Sequence, residues 1–104
     1  MSESSSHNRA KRRAAGPGGK TEVKLPGNQR LDAKSAGGKK AVEVERSGNL
    51  EAAARRLKKS RAPQKVLQVP QKDMSDAAAA MRKVGVGGTV KNLTGTKRRS
   101  VSKP

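Results

Sequence analysis

No Phe, Tyr or Trp occurs anywhere in this chain. That absence limits what the chain can fold into more than any other feature. Aromatic side chains bring the largest apolar areas to a core. Without them a core must be assembled from Val, Leu, Met and Ala. Positions 21 to 94 hold eight Val, six Leu and two Met, a thin supply for a domain of roughly 75 residues. Such a domain is expected to be marginally stable alone and to gain from a homodimer partner or a bound ligand. The missing aromatics also remove base-stacking platforms, so binding of single strands by aromatic stacking is not expected. With no Cys, disulfides and zinc–thiolate sites are excluded.

The 104 residues suit one small domain, and they carry a formal net charge of +17. A charge of that size and sign points to a polyanionic partner, nucleic acid before an anionic membrane. No apolar run approaches the length of a transmembrane span. The opening residues lack the apolar segment of a secretory signal. The expected setting is therefore cytoplasmic, associated with the nucleoid or another nucleoprotein, with no membrane partner. His7, the lone histidine, sits in a polar segment and reads as a solvated residue.

Hydrophobic periodicity orders the elements. Residues 1–20 read as a basic, mostly disordered arm, with a short helix over Asn8–Ala15, weakly apolar through Ala10, Ala14 and Ala15, as the alternative. TEVKL (21–25) is a short alternating strand, and Pro26-Gly27-Asn28 a turn. RLDAK and KAVEVER follow, joined at Gly37-Gly38 as a hairpin around which the chain is organised. Asn49 is an N-cap for a helix over 50–59, with Leu50, Ala53, Ala54 and Leu57 as its apolar stripe. QKVLQV (64–69) is a strand. A second helix opens at Asp73 or Lys72 and runs to about Val84, with Met74, Ala77, Ala78, Met81 and Val84 on its inner side, and Gly85, Gly87 and Gly88 end it. TVKNL (89–93) is the last strand, and 95–104 a basic tail. The fold class expected is α/β: a small mixed sheet, a three-strand meander and then α-β-α-β, over 21–94. Both ends are expected to be flexible. Lys11, Arg12 and Arg13 in one end, and Lys97, Arg98 and Arg99 in the other, are the candidate nucleic-acid contacts, binding phosphate in a salt-dependent way.

The hairpin carries three of the eight acidic residues. Strand side chains alternate, so Leu31 and Ala33 are expected on one face and Asp32 and Lys34 on the other. Glu43 and Glu45 share a face in the second strand. If the strands pair with their apolar residues together, Asp32, Glu43 and Glu45 converge. Three converging carboxylates repel, which raises their pKa values or calls for a divalent cation with oxygen ligands. The plainer reading is the solvated face of a one-sided sheet, with nearby Arg or Lys neutralising the acids.

Asp32 in RLDA and Glu43-Val44-Glu45 in AVEVERSG, placed on successive strands of this element order, resemble the signature of the restriction-endonuclease-like, or PD-(D/E)XK, superfamily. The resemblance covers about residues 21 to 93. It implies a phosphodiesterase fold in which Asp32 and Glu43 bind Mg²⁺ and Glu45 orients or deprotonates the attacking water. Glu45 stands where the family usually has Lys, and the residue pair usual before the first motif is absent. Lys34 is the candidate to lean on the phosphate instead. Two functions follow: a metal-dependent endonuclease, or a non-catalytic basic DNA- or RNA-binding protein associated with a larger nucleoprotein assembly.

Overall fold

The computed structural model describes residues 5–25 and 29–102. The elements are α1 (Ser5–Ala15), β1 (Lys20–Leu25), β2 (Gln29–Lys34), β3 (Lys40–Val44), α2 (Leu50–Lys59), β4 (Gln64–Val69), α3 (Met74–Val84), β5 (Gly88–Asn92) and β6 (Arg98–Val101). The expected turn at Pro26–Asn28 lies outside the described residues.

Six strands form one sheet in chain order. β1, β2 and β3 are antiparallel neighbours, β3, β4 and β5 are parallel, and β6 returns antiparallel to β5. Parallel neighbours need crossover connections, and α2 and α3 supply them. Two successive crossovers of the same hand, stepping the same way along the sheet, put both helices on one face. There Ala53, Ala54 and Leu57 of α2 and Ala77, Ala78 and Met81 of α3 meet Leu31, Ala41, Leu67, Val69 and Val90. Leu57, Leu67 and Met81 are fully buried, each contributing about 2 kcal/mol. On the opposite face α1 packs against β1, β2 and β3, and Ala15 joins Ala33, Val42, Val44 and Val66. A mixed α/β sheet is therefore the architecture, as the element order implied, and α1 adds a helix on its second face.

Helix ends follow their sequence. Gly85 closes α3 in the left-handed conformation, φ 87°. Its N–H donates to Met81 and Arg82, and that of Val86 to Met81, a glycine cap of the Schellman kind. Ser60 stops α2, its N–H and its hydroxyl both bonding Leu57 O. Asn49 sits at the expected cap position of α2 but makes no side-chain cap bond.

Three expectations change. The arm over 1–20 gives way to a docked helix, Ser5–Ala15. Its alanines, a weak apolar side on their own, suffice because they lie against the small and branched residues of β2 and β3. Lys11, buried in the same interface, also pairs with Glu22 at 3.0 Å. The tail over 95–104 contains β6, whose Val101 is buried in the core beside Val90. Finally, Leu31 and Ala33 do not share a face: Leu31 packs on the α2–α3 side and Ala33 on the α1 side. The β1–β2 ladder lacks its Glu22–Asp32 rung, and Glu22 has φ 52°. A non-glycine residue in the left-handed region interrupts the pleat there, and the alternation of β2 resets across Asp32.

Candidate functional site

Asp32 and Glu43 face each other across β2 and β3. The ladder between those strands consists of Ala33–Val42 and Lys34–Ala41. The next rung would be Asp32–Glu43, and there the side chains take over from the backbone. Glu43 Oε2 accepts the Asp32 N–H at 2.7 Å, and Asp32 Oδ2 accepts the Val44 N–H at 2.8 Å. Each carboxylate thus satisfies an amide of the opposite strand, and the two residues clasp the strands reciprocally.

β3 is the reason Glu43 is buried. Ala41, Val42, Glu43 and Val44 are all buried, because α2 covers one face of this strand and α1 the other. Glu43 follows Ala41 onto the α2 side, where Arg56 of α2 donates through Nε to Glu43 Oε1. The Glu43 side chain is 1% exposed and that of Arg56 26%, so one partner is dry and the other reaches solvent. Burial, and then the neighbouring Asp32 charge, push the Glu43 carboxyl up to about 8, and the Arg56 guanidinium only partly offsets them. A buried carboxylate opposite another carboxylate is a costly arrangement unless it is neutralised. Arg56 is the neutralising group.

Glu45 does not join the pair. It lies beyond the end of β3, and its Oε2 accepts the Ser47 N–H at 2.7 Å together with the Ser47 hydroxyl. That is local loop bonding, which competes with any shared role. Among the described residues no group of three His, Cys, Asp or Glu is placed to hold a metal ion. Asp32 and Glu43 are the residues that would have to hold Mg²⁺. Both Glu43 oxygens and one Asp32 oxygen already accept N–H bonds, and an Arg occupies the position of a counter-ion. As bonded here the donor set is a closed ion-pair clasp, which a divalent cation would enter only by displacing Arg56. Lys34 lies over the Gly37-Gly38 turn, close enough that a Cβ at Gly38 would come within 3.2 Å of its Cε. Sequence reasoning missed Arg56, which flanks the apolar stripe of α2 and looks no different there from Arg55.

The basic candidates sit on ordered elements. Lys11 is buried and ion-paired with Glu22, so it is a docking residue of α1. Arg12 and Arg13 are exposed on α1, and Lys97, Arg98 and Arg99 are exposed at and before β6. Arg13 lines a cavity of about 160 Å³ together with Lys40 of β3 and Lys91 of β5. Arg13 of α1 thus borders the same space as two cations of the sheet, on the side away from α2 and α3. Comparison with protein-family models, with curated proteins and with solved structures gives no match to this chain.

Proposed function

We propose that this chain is a nucleic-acid-binding protein built on a restriction-endonuclease-like arrangement, with the Asp32–Glu43–Arg56 clasp serving the fold. The element order from α1 to β4 and the facing of Asp32 and Glu43 support that arrangement. The observation that carries binding is the cavity shared by Arg13, Lys40 and Lys91, which joins the exposed arginines of α1 to the cations of the sheet. With a net charge of +17 and no aromatic residue, interactions of this kind engage the phosphate backbone rather than the bases. DNA or RNA is then bound largely through counterion release.

The test is fluorescence anisotropy of labelled duplex and single-stranded DNA and RNA between about 50 and 200 mM salt, where backbone binding makes affinity fall steeply. Arg12→Ala with Arg13→Ala should weaken binding evenly across sequences and reduce the salt slope by about 0.9 for each phosphate no longer neutralised. Binding that is insensitive to salt, or unchanged in this variant, would refute the reading.

A second reading, Mg²⁺-dependent endonuclease, has the Asp32–Glu43 juxtaposition in its favour. It is separated by incubating the same nucleic acids, and branched ones, with Mg²⁺ or Mn²⁺. Cleavage abolished by Asp32→Ala would establish it, and intact substrates throughout leave the binding function alone.

A further inference from the structure

A cavity of about 880 Å³ opens at the end of the sheet where β3, β4 and β5 begin. Its walls carry Lys40, Lys58, Lys65, Lys91 and Arg98, and no Asp or Glu. Five cations from β3, α2, β4, β5 and β6 therefore converge on one space. Two are tethered by carbonyls: Lys58 Nζ donates to Val84 O at 2.9 Å and Lys65 Nζ to Ala62 O at 2.7 Å. Lys40, Lys91 and Arg98 make no ion pair with a carboxylate among the described residues.

These three cations are brought together by strand register. Lys91 lies opposite Arg98 across the β5–β6 ladder, and like charges directly opposite destabilise a sheet. Partial burial, then Lys40, then Arg98, hold the Lys91 ammonium below its usual range. Among the described residues the two buried charged side chains each have a counter-charge, Glu43 from Arg56 and Lys11 from Glu22. Here the counter-charge has to come from outside. The cavity also has a backbone wall, Gly85–Gly88, which lets a ligand approach closely. Gly88, at φ 155°, lies tight against β4, where a Cβ would come 2.2 Å from Lys65 O, so its lack of a side chain serves the packing of β5 on β4.

We propose that this cavity is a binding site for a phosphate group, held between Lys40, Lys91 and Arg98 and backed by the glycine loop. Three cations at one point suit a multiply charged oxyanion, since charge-assisted bonds are the strong ones. The phosphate belongs to a nucleic-acid backbone or to a free polyphosphate or nucleotide. The cavity argument is independent of which, but it shares Lys40 and Lys91 with the nucleic-acid reading; Arg98 and the glycine loop are what set this site apart.

The probe is tripolyphosphate, titrated into the full chain and followed by amide chemical shifts. Perturbations should centre on Lys40, Gly87–Thr89, Lys91 and Arg98. Lys40→Gln with Lys91→Gln should weaken binding by about tenfold or more, the scale of removing two charge-assisted bonds. Lys72→Gln, an exposed cation on the linker before α3, should not change it. Competition then distinguishes the sources. If tripolyphosphate displaces a labelled oligonucleotide, the cavity takes backbone phosphate; if both bind together, it serves a free phosphoanion. Shifts spread evenly over all basic surfaces, or a double variant that binds like wild type, would overturn the site, even if the nucleic-acid reading held. Because the mapping is done on the unaltered protein, a variant that failed to fold would leave the proposal open to refutation.

Discussion

Replacing Arg56 by Met tests the physical account of the buried carboxylate pair. The substitution keeps a long apolar stem and removes the guanidinium from Glu43. Breaking a buried pair by taking away one partner costs about 3–5 kcal/mol, because the remaining charge is left uncompensated. The Glu43 carboxyl, at about 8, takes up a proton once the guanidinium is gone, so the lost charge adds at most roughly 1 kcal/mol at pH 8.5 and about 2 kcal/mol in all is the expected cost there. At pH 5 the cost should shrink. The folded-state value of Glu43, about 8 against an ordinary 4.5, means that between those values the folded protein binds more protons than the unfolded chain. Stability then falls as pH rises through that window. At about 1.4 kcal/mol per pH unit, a shift of that size withholds roughly 3 kcal/mol from wild type at pH 7 and little near pH 4.5. Near pH 5 Glu43 is protonated in the folded state, so Arg56 has little charge left to balance. Arg56→Met should there cost only about 1 kcal/mol, the scale of one hydrogen bond. The assay is urea unfolding of both proteins at pH 5 and pH 8.5, with Glu43→Gln and the double variant closing the cycle. In the Glu43→Gln background Arg56→Met should have a small effect that pH does not change. A penalty for Arg56→Met that is equal at the two pH values would refute the reasoning, because it would mean that packing and not charge is what Arg56 supplies.

Gly88→Ala should destabilise by about 3 kcal/mol or more, since a backbone oxygen, and not a flexible side chain, occupies the space; thermal melting checks this, and an unchanged midpoint would mean that β5 shifts freely. Deleting residues 1–16 should do more than remove cations: it takes away Ala15 and the Lys11–Glu22 pair and bares the Val42–Val44 face, so urea unfolding should show a loss of at least about 2 kcal/mol. A truncated chain as stable as the full one would return α1 to the status of an arm.

The parts of the fold that were legible in the sequence are those where pattern and environment agree. α2 and α3 carry apolar stripes at helical spacing, and glycine or a break closes each, so their ranges follow from the residues alone. QKVLQV reads as a strand because β-branched residues and a following Pro leave little else. The parts that were not legible depend on partners distant in sequence. RRSV offers only Val101 to a core, and nothing local says that the edge of β5 is waiting to pair with it. α1 has three alanines and a lysine on its inner side, a pattern that looks solvated until Glu22 is placed beneath it. The face of Leu31 could not be had from alternation, because the pleat resets opposite Glu22, and no residue type announces a left-handed glutamate.

The carboxylates show both sides of this. The register of the hairpin brings Asp32 opposite Glu43 across β2 and β3 although the alternation of β2 resets there, while Glu45 turns instead to its own loop. What spacing could not supply was the remaining partner. A glutamate inside AVEV, flanked by buried residues on a strand covered on both faces, has to be neutralised by whatever stands above it. The crossover rule puts α2 there, and one turn before its end α2 presents Arg56. Given that helix, a cation fixed in the chain does for Glu43 what a bound metal would otherwise have to do, and it does so in every molecule at every ion concentration. Meanwhile Lys40, Lys91 and Arg98, brought together on the same sheet with no acid among them, have the opposite deficiency. The chain balances its buried negative charge internally, and the anionic ligand proposed above is what would balance the cluster of positive charge.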